Sequence, residues 1–485
     1  MTKEGPALNG PTLDPADWNE LRRDAHRMID DMVDYMAQLR DQPVWQSTPE
    51  VIRESFREDL PTQPTALATV YDDFTDRILP YSSGNAHPAF MGYVQGGGNA
   101  AGMLAEMLAS TINSNCGGRD HVALDVERQI THWTRQIFDF PATATGIFVT
   151  GTSIANFIAL VVARTAALGV ESRRAGIAAN NQKLTAYASR AAHGCVQQAM
   201  ELAGLGSDAL RLIPTDADHR IDLDALRVAI AADRKEGARP FFLVGSAGTV
   251  DVGAIDDLAA LSAIAKAEGL WFHIDGALGA LAVLSPELKP RFKGIEAADS
   301  IAFDFHKWGQ VPYDAGFILV RDGDVHRATF AAPTSYLKRE TRGLAGGSPW
   351  PCDFGPDLSR SFRALKTWFT LKVHGADRIG AAIAKSCALA EYLKAKIEAE
   401  PRLELLAPLG LNIVCFRYRA ADPNEVNGTI VAELQERGMS APSTTTINGA
   451  LAIRACLINH RTQQQDIDAL VSGVLSIGAE VTQQR

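Results

Sequence analysis

Leu270-Trp271-Phe272-His273-Ile274-Asp275-Gly276-Ala277 and, further along, Ser300-Ile301-Ala302-Phe303-Asp304-Phe305-His306-Lys307-Trp308 decide how this chain folds. Each is a short apolar run that closes on an ionisable side chain. Runs of this length predict buried strands over 270–274 and 301–305. The same reading on either side gives strands at 146–150, 183–189, 211–214, 241–245 and 317–320. Helical runs at 153–168, 193–202, 222–233 and 256–268 separate them. Such β-α alternation predicts an α/β domain whose largely parallel sheet is covered on both faces. Sheets of this kind seat ligands beyond the C-terminal ends of their strands. The charged and hydroxyl residues of interest cluster at those ends.

The pattern weakens at both ends of the chain. Residues 1–12, rich in Gly, Pro and Thr, predict a loose arm, and Asp14-Pro15-Ala16-Asp17 a helix start. Leu21, Ile29, Met32, Val33, Met36 and Leu39 recur at helical spacing over 18–40, and a second helical stretch covers 67–78. Two such helices bury little alone, so this segment is expected to pack on another domain or subunit. After about residue 370 a helix over 380–398, strands near 411–418 and 451–457 and a closing helix from Gln465 predict a smaller α+β domain. The expected division is 1–85, 86–375 and 376–485.

At 485 residues the chain suits two or three packed domains. A composition 46% hydrophobic and 21% charged is that of a globular protein. The net charge of -10, with no basic stripe, argues against nucleic acid or an anionic membrane as partner. The N-terminus lacks the pattern of a secretory leader, and no apolar run is long enough to span a bilayer. Six scattered cysteines with no CxxC pair suit free thiols in a reducing cytoplasm and suggest no metal site.

Lys307, at the end of a buried strand, is placed where desolvation would lower its pKa and make it an amine nucleophile toward aldehydes. An ordinary lysine snorkels to the surface, but this one is flanked by aromatics and by His306. Asp275 ends its own strand and needs a cationic partner, which a protonated pyridine nitrogen would supply; a salt bridge or helix cap would serve equally. Ala277 is small enough for a flat ring to lie against the backbone. Ile147-Phe148-Val149-Thr150-Gly151-Thr152-Ser153 joins strand to helix, and the hydroxyls of Thr152 and Ser153 beside free helix-start amides make a phosphate seat, or simple N-caps. His193, at the start of the helix after strand 183–189, could stack on a planar ring or cap the helix. Thr249, at another strand end, suits close ligand approach or a plain turn. Phe90, Tyr93 and Trp350 could form an aromatic substrate pocket, although aromatics are as often plain core.

Two other motifs compete. Gly96-Gly97-Gly98-Asn99-Ala100-Ala101 loosely fits a dinucleotide loop but follows no βαβ start. Gly151-Thr152-Ser153-Ile154-Ala155 nearly matches a hydrolase nucleophile elbow, with His460 as a late histidine. It lacks the second glycine and leaves Lys307 and Asp275 unexplained.

Together these residues resemble the group II pyridoxal-phosphate decarboxylases, the family of aromatic-L-amino-acid, histidine and glutamate decarboxylases. The resemblance runs from about Asp17 to the end and rests on five stretches in order. They are Met32-Val33-Asp34-Tyr35-Met36, His87-Pro88-Ala89-Phe90-Met91-Gly92-Tyr93, His273-Ile274-Asp275-Gly276-Ala277, His306-Lys307-Trp308 and Ser361-Phe362-Arg363-Ala364-Leu365-Lys366-Thr367-Trp368.

The resemblance implies fold type I of the pyridoxal-phosphate enzymes, similar to aspartate aminotransferase, in a homodimer with its active site at the interface. It implies that Lys307 carries pyridoxal 5'-phosphate as a Schiff base, Asp275 holds the pyridine nitrogen and His193 stacks on the ring. Thr152, Ser153 and His306 would serve the phosphate, and Thr249 and Ala277 would line the ring. The implied reaction is decarboxylation of an L-amino acid, aromatic by preference, to the amine and carbon dioxide. The chain departs from the family at three places. Residues 342–353 contain no Tyr where aromatic decarboxylases carry a proton-returning one on a mobile loop. Ile154 stands where Glu is common, and Asp304 where the animal enzymes have Asn. Members without the loop tyrosine can be aldehyde synthases, so decarboxylation coupled to oxidative deamination is the alternative outcome. An acid at 304 is expected to turn from a phosphate toward His306 or water.

Overall fold

The computed structural model describes residues 12–180, 182–331 and 339–483. The expected loose arm at 1–12 lies, apart from Thr12, outside them. The first sheet has seven strands in the order Thr145–Val149, Gly316–Val320, Ser300–Asp304, Trp271–Asp275, Arg239–Ser246, Leu184–Ser189, Leu210–Ile213. Gly316–Val320 runs antiparallel to both neighbours, and every other pair is parallel. The predicted strands are all present, within a residue or two at most ends. Their side chains are buried on both faces, as expected of a sheet covered by helices on each side.

The helix Thr152–Leu168 packs across this sheet and starts at the C-terminal end of Thr145–Val149. It buries Ala155, Ile158, Ala159 and Val162 among Ile147, Ala302 and Ile318. Its approach is close: a Cβ on Gly316 would stand 2.4 Å from the Gly151 Cα, so no larger residue fits. The strand ends at Val149, Ser189, Ser246, Asp275 and Asp304 therefore open on one edge of the sheet.

The second sheet has five strands, in the order Phe90–Met91, Ala441–Ile447, Ala450–Cys456, Ile413–Tyr418, Leu403–Leu405. Sequence reading found only two of them. Phe90 and Met91, at the start of the expected 86–375 unit, pair in parallel with Ala441 and Pro442. Ala441–Ile447 and Ala450–Cys456 are joined by Asn448-Gly449, both at positive φ (50° and 84°), the two-residue turn that suits the twist of a hairpin. Helices Pro423–Glu436 and Gln464–Gln483 cover this sheet. The helix expected from Gly380 begins instead at Arg363 and runs to Ala399, bent at Gly375 (φ 74°).

At the N-terminus, helices Trp18–Ala37 and Leu67–Arg77 stand where periodicity predicted them, with Asp17 accepting the Asn19 amide as N-cap. Trp18–Ala37 has no buried residue. No helix of the described residues is long and apolar enough to cross a membrane.

Candidate active site

Beyond the shared edge of the first sheet lies a cavity of about 530 Å³. Thr152, Ser153, His193, Thr249, Asp275, Ala277, His306, Lys307 and Tyr93 all line it. Residues drawn from strand ends far apart in sequence thus meet in one place.

Lys307 sits in the turn after Ser300–Asp304. Its Nζ lies 2.8 Å from Asp304 Oδ2, while Asp304 Oδ1 accepts the Thr152 amide at 2.9 Å. His306 Nε2 is 3.7 Å from the same carboxylate, and its Nδ1 accepts the Ala315 amide at 2.9 Å. Asp304 therefore ties the lysine turn to the start of helix Thr152–Leu168. This corrects one expectation and sharpens another. Burial, the largest single influence, would lower the Lys307 pKa, but Asp304, with Asp275 and Tyr313 adding to it, outweighs burial and raises the pKa above that of a free lysine. Asp304 reaches Lys307 and a backbone amide more closely than it reaches His306. Burial is the larger influence on His306 and lowers its pKa, with Asp304 opposing. Gly96 passes under this turn: a Cβ there would stand 2.2 Å from the His306 carbonyl oxygen, a packing reason for a glycine the dinucleotide pattern had suggested.

Asp275 is buried. Its Oδ1 accepts the Ala277 amide at 3.1 Å and its Oδ2 the Asn156 side-chain amide at 3.0 Å. His193 is exposed and precedes the helix Cys195–Leu202 rather than beginning it; its Nδ1 accepts the Cys195 amide at 3.1 Å. Thr249 is buried in a tight turn, its hydroxyl accepting the Ala254 amide at 3.0 Å. The Thr152 hydroxyl is buried and has no hydrogen-bond partner among the described residues. An orphaned hydroxyl at the N-terminus of a 17-residue helix, facing a cavity with a lysine and a carboxylate, fits a phosphorylated pyridine aldehyde.

Phe90 and Trp350 do not join this group. Phe90, in the edge strand of the second sheet, packs with Val44, Ala89 and Ala441. Trp350 is 1% exposed, its indole N–H donating to the Gly346 carbonyl, with the guanidinium groups of Arg119 and Arg339 over its ring at 4.8 Å and 3.5 Å from the centroid. Both are packing aromatics, a role that composition does not separate from pocket lining. Nor does the hydrolase pairing form. His460 turns to the Gly98 carbonyl and lines a separate cavity with Trp308, away from Ser153.

Sequence reading missed four residues in or against the cavity. Tyr313 stacks obliquely on His306, ring centroids 4.3 Å apart. Arg454, buried in strand Ala450–Cys456, donates to the carbonyls of Tyr93, Val250 and Asp251 and to the Ser443 hydroxyl. No carboxylate among the described residues is paired with it, which is unusual for a buried cation. Cys195 also lines the cavity, its thiol pushed up to about 12 by burial and so unreactive. Asn156 underlies Asp275. An arginine in the buried alternation of a strand was the available signal for Arg454, and an Asn one turn after Thr152 in an apolar helix was the signal for Asn156.

The pyridoxal-dependent decarboxylase conserved domain matches residues 49–419. The aromatic-L-amino-acid decarboxylase of Bacillus atrophaeus is 31% identical, over 96% of this chain and 96% of its own. The phenylacetaldehyde synthase of Arabidopsis thaliana is 27% identical over 95% and 96%. The solved structure of Oryza sativa TDC with PLP and tryptamine superposes with a TM-score of 0.87 at 23% identity, covering 97% of this chain and all of that one, and shows the same type I fold. The chain belongs to the pyridoxal-dependent decarboxylase family and is a pyridoxal-phosphate-dependent amino-acid decarboxylase.

Proposed function

We propose that the protein converts an aromatic L-amino acid to its amine and carbon dioxide, with Lys307 as the amine that holds the coenzyme. The observation that carries this is the convergence of Lys307, Asp275, His193 and the unpartnered Thr152 hydroxyl on one cavity. When bound, pyridoxal 5'-phosphate supplies the electron sink for the pair left as the Cα–carboxylate bond breaks. Thr152 and Ser153 would hold its phosphate at the helix start, where the dipole favours an anion, with His306 beside them. Asp275 would accept the ring N–H. His193 would cover one ring face, and Ala277 and Thr249 would border the ring. Asp304 would hold the Lys307 amine in the cavity beside the phosphate seat, where it would meet the aldehyde.

Arg454 offers the substrate carboxylate a guanidinium already oriented by four acceptors, which would hold the breaking bond in a fixed direction. Tyr93 and Tyr313 border the remaining space, and the Tyr313 hydroxyl would return a proton to Cα in place of a loop tyrosine. An aromatic substrate is supported by the Bacillus and Oryza relatives. The absence of Tyr from 342–353 and the likeness to the Arabidopsis synthase support an aldehyde as the alternative product.

The test is a screen of the proteinogenic amino acids for carbon dioxide release, with amine and aldehyde measured in parallel. Amine in step with carbon dioxide from an aromatic substrate is the expected result. Aldehyde, ammonia and peroxide in its place would make the protein an aldehyde synthase.

The same reading takes residues 1–85, 86–375 and 376–485 as three units, the first packing on a second subunit. Helix Trp18–Ala37 buries nothing, and helix Ala100–Ile112 exposes Leu104, Met107, Leu108 and Ile112. A second copy of the chain would cover such surfaces, giving a homodimer with the site at the interface. Six free cysteines suit a cytoplasmic protein.

A further inference from the structure

Behind Asp275 the hydrogen bonds form a chain with a single direction. On strand Trp271–Asp275 the side chains of Trp271, His273 and Asp275 share one face, because alternate residues do. Ser300 stands opposite His273 on the neighbouring strand, and helix Thr152–Leu168 brings Asn156 onto the same face. The contacts run from Trp271 Nε1 to Ser300 Oγ (2.8 Å), from Ser300 Oγ to His273 Nδ1 (2.8 Å), from His273 Nε2 to Asn156 Oδ1 (2.8 Å) and from Asn156 Nδ2 to Asp275 Oδ2 (3.0 Å).

Donor and acceptor chemistry leaves one proton arrangement. The Asp275 carboxylate needs a donor, so the Asn156 NH₂ faces it, and the same nitrogen lies 3.1 Å from the Cys195 sulfur. Asn156 Oδ1 then faces His273 and requires His273 to carry its proton on Nε2. Burial pushes the His273 pKa down to about 3, so the ring is neutral and Nδ1 is an acceptor. Ser300 must therefore donate to Nδ1, which leaves its oxygen to accept from Trp271, and an indole N–H can only donate. Every link agrees with the next.

We propose that Asn156, His273, Ser300 and Trp271 form a relay of positioning residues that fixes the rotamer of Asp275 and presents it to the coenzyme as an acceptor. This rests on the assignment of Asp275 to the pyridine nitrogen. Together with the Ala277 amide on Oδ1, the relay surrounds the carboxylate on the protein side with donors alone. The lone pairs turned to the cavity are left for the ring N–H, so the ring nitrogen keeps its proton. Bonds within such a low-dielectric network strengthen one another, so cutting a distant link is felt at the end.

The test uses holoenzyme loaded with coenzyme labelled with nitrogen-15 in the ring, comparing the unmodified protein with Asn156→Leu, Ser300→Ala and Asp275→Asn. Nitrogen NMR reads ring protonation directly, and borohydride trapping with peptide mass spectrometry reads attachment at Lys307. Asn156→Leu should move the ring resonance toward that of Asp275→Asn and weaken coenzyme binding about tenfold or more. Ser300→Ala, a smaller change that leaves the packing nearly intact, should move it in the same direction by less. An unmoved resonance in Ser300→Ala and in folded Asn156→Leu, with Lys307 still trapped, would overturn the relay. No adduct on Lys307 in the unmodified protein would instead overturn the coenzyme assignment itself.

Discussion

The amine of Lys307 lies 2.8 Å from Asp304, whose second carboxylate oxygen holds the first amide of the helix beneath the cavity. One side chain thereby sets the charge of the candidate coenzyme-binding lysine and the position of the candidate phosphate seat. An amine must lose its proton to join an aldehyde, and Asp304 raises the pKa at which Lys307 does so. Asp304→Asn keeps an oxygen for the Thr152 amide but removes the charge. The Lys307 pKa then falls, a larger fraction of the amine is neutral at a given pH, and the pH profile for coenzyme incorporation into apoprotein shifts downward. Stopped-flow absorbance of coenzyme uptake against pH checks this. An unshifted or raised profile would contradict the ion pair.

Lys307→Ala should abolish carbon dioxide release, by about a thousandfold or more, and remove the borohydride-trappable adduct. The turn around it is held by other contacts, from the Ala315 amide to His306 and from the Gln310 side chain to the Ile458 carbonyl, so the variant should remain folded by circular dichroism. Full activity in this variant would remove Lys307 from the chemistry.

How far the site could be read before the fold was known depended on the kind of signal each residue left. Lys307 and Asp275 were legible because a charge closing an apolar run is costly and so stands out. Thr152 and Ser153 were legible because strand, turn and helix follow one another within a few residues. Arg454 was not, since its meaning depends on carbonyls contributed by residues 93, 250 and 251, far away in sequence. Asn156 and His273 were passed over for the same reason: each has chemical meaning only through the other. Phe90 and Trp350 erred in the opposite direction, because an aromatic side chain carries the same sequence signal in a core as in a pocket. In the second sheet, the Thr-rich strand Ala441–Ile447 was not read as a strand, although Asn448-Gly449 marks a hairpin.

Tyr313→Phe removes one hydroxyl from the cavity and leaves the ring stacked on His306. If Tyr313 returns the proton to Cα, turnover should fall about a hundredfold with coenzyme content unchanged, the typical contribution of a positioned general acid. Product analysis under air adds a second readout, since slower protonation should leave more carbanion to be oxidised by dissolved dioxygen, giving aldehyde, ammonia and peroxide in place of amine. Unchanged turnover and product ratio would assign the proton to another group.

Arg454→Lys keeps a buried positive charge but loses the planar guanidinium, whose one N–H not already donated to the protein would meet the substrate carboxylate. Charge-assisted hydrogen bonds of this kind contribute about 1.5–3 kcal/mol, so KM should rise roughly ten- to a hundredfold. The amine product lacks the carboxylate, and its inhibition constant should change little. Equal losses for substrate and product would mean that Arg454 acts only by holding the second sheet against the loop at 250–251.

Arg360 and Glu127 clamp the strand that leads into the phosphate seat. Both are buried, with Arg360 Nη2 2.6 Å from Glu127 Oε1. The Phe148 amide donates to Glu127 at 3.0 Å, and the Phe148 carbonyl accepts from Arg360 at 2.8 Å. Thr145–Val149 is an edge strand, so these bonds satisfy the side of it that no other strand covers. Burial alone lowers the Arg360 pKa, but Glu127 more than reverses this, so the guanidinium stays charged. Arg360→Met leaves a buried carboxylate without its cation and the Phe148 carbonyl without its donor. Breaking one side of such a pair costs about 3–5 kcal/mol, whereas Arg174→Ala, which breaks an ion pair with Glu171 that is 82% exposed on both sides, should cost at most about 1 kcal/mol. Urea unfolding of the apoprotein should show this contrast. Because the clamp holds residue 148 just before the Thr150–Ser153 turn, Arg360→Met should also weaken coenzyme binding, measured by equilibrium dialysis, while Arg174→Ala leaves it unchanged.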